Sequence, residues 1–69
     1  MKNAKVERYE ENLLKAYQTL KFLTEELRVV YGIAPEIDCL IVLPAIKDCA
    51  KVEAEIGALL LARGIELGE

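Results

Sequence analysis

A chain of 69 residues, 54% hydrophobic and 30% charged with a net charge of −3, has room for one small domain. Domains this short bury a modest share of their surface and lean on disulfides, a metal or a partner chain. With no His, Ser or Trp in the sequence, hydrolase triads and imidazole bases are excluded, and no enzyme activity or cofactor is expected.

The first 31 residues are free of proline and glycine, and their apolar positions fall on a heptad. Val6, Leu13, Leu20 and Leu27 take the a positions, and Tyr9, Ala16, Leu23 and Val30 take the d positions. Spacing of this kind predicts a long amphipathic helix over about 3–31, its a/d stripe turned toward a partner. Glu11 and Lys15 add a favourable i,i+4 pair.

The stretch "YGIAPE" reads as stop and restart. Gly32 is expected to end the helix in the left-handed conformation. Pro35 suits the first turn of a second helix, where Glu36 and Asp38 complement the positive end of the helix dipole. A connection this short makes the two helices antiparallel neighbours. The second heptad runs through Val42, Ala45, Cys49, Val52, Ile56 and Leu59, and predicts a helix over about 35–67, kinked at Pro44. Gly64 and Gly68 read as a frayed end.

Pro44 is the awkward residue, because an interior proline removes a hydrogen bond and presses on the carbonyl four residues back. It falls at heptad position c, away from the seam, where a kink can open outward. A rival reading begins the helix at Pro44 and leaves 36–43 extended. Its support is that residues before proline avoid the helical region and that "CLIVL" is good strand material. The charge-free run from Cys39 to Ile46 is too short to span a membrane, which takes about 20 apolar residues.

Apolar residues also lie off both stripes, and they exceed what one hairpin hides: Leu14, Tyr17, Phe22 and Tyr31 on the first helix, Leu40, Ile41, Leu43, Ile46, Leu60 and Leu61 on the second. Each such Leu or Ile is worth roughly 1.5–3 kcal/mol on burial. The expected fold is therefore all-α, an antiparallel helical hairpin dimerising into a four-helix bundle. Its core and dimer interface are expected to use Leu13, Leu20, Leu27, Leu40, Ile41, Leu43, Ile46, Cys49, Ile56 and Leu60.

Charge is uneven. Residues 1–31 carry six Lys/Arg against five Glu, while residues 32–69 carry three Lys/Arg against seven Asp/Glu, so only the first helix offers a nucleic-acid surface. Arg8, Lys15, Lys21 and Arg28 occupy adjoining b and c positions around Phe22, the residue types that follow a phosphate backbone and stack on bases. Glu7, Glu11 and Glu25 beside them weaken that field. Cys39 and Cys49 are ten residues apart, roughly 15 Å along one helix, beyond disulfide reach within the chain; a bridge to a second chain stays open. The charged N-terminus lacks the apolar core of a signal peptide, which makes an intracellular, reducing location the expectation. Few amides and many Glu, Lys and Arg fit a thermophilic source.

The segment "AKVEAEIGALL" (50–60), centred on Lys51, Glu53, Ala54 and Glu55, resembles the corresponding helix of small hairpin proteins encoded by spindle-shaped viruses of hyperthermophilic archaea. That resemblance implies a dimeric four-helix bundle acting as an adaptor. The plan is also similar to that of the plasmid copy-number regulators that clasp paired RNA loops, with Phe22 as the one possible equivalent residue. The function expected is a non-enzymatic protein–protein adaptor working as a homodimer with an unidentified protein partner. The alternative is a small RNA- or DNA-binding regulator using the first-helix stripe.

Overall fold

The computed structural model describes residues 3–67. Two helices make up the structure, α1 (Ala4–Ile33) and α2 (Glu36–Ala62), packed side by side as a hairpin. The molecule measures 52 × 19 × 15 Å with a radius of gyration of 15.0 Å, against about 11 Å for a compact chain of this length. Two helices alone leave almost no interior. Among the described residues, the buried apolar side chains are Tyr17 and Leu60, and Leu60 is the one with no exposed surface.

Helix α1 starts at Asn3, whose side-chain oxygen accepts the Val6 N–H at 2.9 Å and satisfies one of the orphan donors of the first turn. It runs two residues past the expected end. Gly32 is helical, and among the described residues the one glycine with positive φ is Gly64. The stop is set instead by proline: Ala34 precedes Pro35, so the pyrrolidine ring drives it out of the helical region, and it is extended at φ −71°, ψ 149°. Its N–H still closes the last turn onto Val30 O at 2.8 Å. Pro35 serves as the N-cap of α2 rather than as a first-turn residue, and its carbonyl accepts the Asp38 and Cys39 N–H groups at 2.9 and 3.2 Å. The Cys39 thiol points back at Tyr31 O, 3.6 Å away, a weak donor set against a carbonyl at the end of α1.

The extended alternative for 36–43 is overturned, since α2 is continuous from Glu36 through Pro44 to Ala62. Pro44 sits on the exposed side, where its ring is not forced into the partner helix. The second expected boundary also shifts. The helix ends at Ala62, not Leu67, because Gly64 adopts φ +75°. Gly64 N–H bonds Leu61 O at 3.0 Å and Ile65 N–H bonds Leu60 O at 3.0 Å, the paired bonds of a Schellman stop. Gly64 thus ends the helix sharply and is not a frayed residue; Gly68 lies outside the described residues. After the stop the chain folds back, and Leu67 Cδ1 comes within 3.8 Å of where a Cβ on Gly57 would stand.

Candidate interaction surface

The seam between the helices is rotated from the expected one. In α1 the a positions Val6, Leu13, Leu20 and Leu27 face inward as anticipated, but their companions are the e positions Glu10, Tyr17 and Thr24. The same holds in α2, where Val42, Cys49 and Ile56 are joined by Cys39, Ile46, Glu53 and Leu60. Moving from an a/d to an a/e seam turns each helix by roughly 50° at 3.6 residues per turn.

The residues at e include Glu10, Thr24 and Glu53, which hid this line in the sequence. Each buried polar group among them has a hydrogen-bond partner. Thr24 Oγ1 donates to Leu20 O at 2.8 Å, the back-bond that lets a threonine sit inside a helix. Glu10 Oε2 accepts from Arg63 Nε at 3.0 Å, and the Arg63 guanidinium also lies 5.1 Å from the Tyr9 ring centroid. Three residues from the opposite ends of the chain are thereby tied together. Glu10 read as one more solvated carboxylate, since nothing local in the sequence points to Arg63 as its partner.

Gly57 is the close-approach point. A Cβ placed there would stand 3.1 Å from Tyr17 Cε1. Ala at this position gains up to about 1 kcal/mol of helix propensity against that crowding, so the two effects nearly cancel. Gly57→Leu is expected to lower stability by about 1–3 kcal/mol through overpacking. In a Tyr17→Ala background, where the ring is gone, the same Leu should stabilise. Thermal melts of the four chains check both statements; a Gly57→Leu chain as stable as the parent contradicts this packing.

Rotating the seam leaves the d positions uncovered. Because the helices are antiparallel, d lies on the same side of the hairpin in both. Tyr9, Ala16, Leu23 and Val30 from α1 therefore share one side with Ala45, Val52 and Leu59 from α2. Tyr9, Leu23, Val30, Val52 and Leu59 are 40–47% exposed, half covered by the neighbouring helix and half open. The opposite side carries Gly57, next to which the returning Leu67 lies.

The ten residues expected to form core and interface accordingly divide. Leu13, Leu20, Leu27, Ile46, Cys49, Ile56 and Leu60 line the seam within one hairpin, Leu43 is half covered at its edge, and Leu40 and Ile41 face outward. The basic stripe divides as well. Arg8, Lys15 and Phe22 occupy c positions on the back of α1, with Phe22 63% exposed. Lys21 and Arg28 sit at b, roughly 100° around the helix, where Lys21 is partly covered.

Among the described residues no group of three or more His, Cys, Asp or Glu is placed to hold a metal ion, and no helix is long and apolar enough to cross a membrane. Both cysteines are free thiols of intermediate exposure. Comparison with protein-family models, curated proteins and solved structures finds no match to this chain.

Proposed function

We propose that the chain is a non-enzymatic interaction module that works as a homodimer, two hairpins docking through their d sides into a four-helix bundle that bridges other proteins. The observation that carries this reading is the uninterrupted apolar row from Tyr9 to Val30 lying beside the row from Ala45 to Leu59 on one side of the hairpin. A helix face buried on a bundle core carries about three to four apolar positions per two turns; a and d supply two in every heptad, and Tyr17, Tyr31, Cys39, Ile46 and Leu60 at e add a third wherever Glu10, Thr24 and Glu53 do not stand. Surface area agrees. The chain exposes 5361 Å² at a mass of 7.7 kDa, where a compact monomer of that mass exposes about 4,300 Å². The surplus, about 1,000 Å², is the size of one partner's share of a stable interface, about 800 Å². The absence of His and Ser from the sequence supports a binding role over a catalytic one.

Sedimentation velocity tests it. The parent chain is expected to run as a dimer, and Leu23→Glu with Val52→Glu as a monomer, because two charges would enter the apolar row. A parent chain that stays a folded monomer at high concentration sinks the proposal. Nucleic-acid binding along α1 has less behind it, since the four cations occupy two different sides of the helix.

A further inference from the structure

At the end of the hairpin away from the turn, the two sides of the seam are not equally open. On the d side Tyr9 and Leu59 are 47% and 40% exposed, whereas toward the b side Tyr17 is 7% exposed and Leu60 has no exposed surface. Two packed helices shield each other along one line and leave its flanks half open, as the d row shows. Full burial of Leu60 therefore needs a third segment, and the chain supplies it after α2. Gly64 turns left-handed at φ +75°, and the Ile65 N–H bonds Leu60 O at 3.0 Å. In a Schellman stop that bond brings the residue after the glycine back against the last turn. Leu67 then reaches the notch that Gly57 leaves beside Tyr17. Ile65 and Leu67 are half-buried while Glu66 between them is exposed, so the segment turns apolar side chains inward and a carboxylate outward. Arg63, at its root, is held to Glu10 on α1.

We propose that residues 65–67 form a strap that closes the b side and so confines docking of a second copy to the d side. The proposal deepens the d-side reading above and rests on it, because it names what keeps the opposite side from competing. A hairpin has two flanks on which another hairpin could lie, and both carry apolar residues. One has the d row; the other has Leu14, Tyr17, Gly57 and Leu60. With both flanks open, each copy would offer two docking sides, and association would continue past a closed pair. The charges around the notch, Glu7, Glu11, Glu53, Lys21 and Arg63, are of both signs, so no one-sided field shuts this flank. The strap does, by filling the notch with Leu67 and presenting Glu66 to the outside.

Releasing the strap in the full-length chain tests the arrangement. Ile65→Ser with Leu67→Ser (I65S/L67S) withdraws its apolar anchors without adding charge. Gly64→Ala strains the left-handed turn that aims it and changes no residue of the notch. Each is made in the parent and in the Leu23→Glu/Val52→Glu background, whose d side is blocked. Sedimentation velocity over a concentration series reads association, and circular dichroism separates folded from unfolded chain. With the d side blocked, I65S/L67S should associate, reversibly on dilution, at a concentration lower by about tenfold or more, and Gly64→Ala should shift it the same way by less. In the parent, the released chain should pass from a dimer to larger species. If the d side does not pair, the parent is a monomer and the released chains still associate, so the two readings fail separately. Should the serines unfold the chain, Gly64→Ala decides alone. Folded released chains that sediment like their own background overturn the strap.

Discussion

Leu60→Ala is expected to be the most damaging single truncation in the chain, while Leu61→Ala beside it should be close to silent. Both substitutions change helix propensity equally, and the two side chains differ only in direction. Leu60 has no exposed surface, and Leu61 is 61% exposed. Truncating a buried Leu costs about 2–5 kcal/mol, part transfer and part residual cavity; at the surface the change stays within about 0.5 kcal/mol. Domains hold roughly 0.05–0.15 kcal/mol per residue, which for this length is about 3–10 kcal/mol in all. Leu60→Ala therefore consumes a large share of the total. At about 4–8 °C per kcal/mol for a domain of this size, its melting temperature should fall by about 10 °C or more. Thermal unfolding by circular dichroism decides the point. Equal losses for the two variants would mean that α2 is rotated relative to the seam described above.

The second large effect concerns Arg63. Glu10 is buried at the N-terminal end of α1 while Arg63, just past the end of α2, is about one-third exposed. Arg63→Met removes a charged hydrogen bond worth about 1.5–3 kcal/mol and the stacking over Tyr9, and exposure to solvent keeps the loss in the lower part of that range. Glu10→Met alone should cost less, because the guanidinium it abandons can turn to water. Replacing both by Met should recover most of the lost stability, as apolar residues of similar volume often do in place of a buried pair. Urea unfolding of the parent, the two single variants and the double variant gives the coupling directly. Additive losses would show that the pair is not a unit, whatever its 3.0 Å separation.

These two cases mark where the sequence was legible and where it was not. The helices, their antiparallel order and the acidic start of α2 follow from local signals: heptad spacing, a Pro35 restart, and Glu36 and Asp38 in the first turn. Local signals failed where two compete. Gly32 and Ala34-Pro35 both predict a stop, and the proline prevailed because its ring excludes the helical conformation at Ala34 while glycine only permits an alternative. Gly64 prevailed over a helix continued to Leu67 because the left-handed glycine satisfies two carbonyls at once. The choice of seam was not local at all. The d stripe is the cleaner apolar row, but the e stripe holds Tyr17 opposite Gly57 and Glu10 opposite Arg63, complementarities between residues 40 and 53 positions apart. A rule based on spacing within one helix has no access to such pairs. Gly57 itself, a glycine in mid-helix where it costs about 1 kcal/mol of propensity, was the signal that would have located the crossing.

The turn has one more effect, on how copies of the chain exchange. Helical hairpins can dimerise by domain swapping, in which the connection straightens and α2 of one copy packs on α1 of another. Here a straightened connection would make one helix of residues 4–62 with Pro35 in its interior. That adds about 3 kcal/mol to the penalty already taken at Pro44, and it forces Ala34 into a conformation its neighbour opposes. Two residues, Ala34 and Pro35, thus favour intact hairpins over intertwined ones.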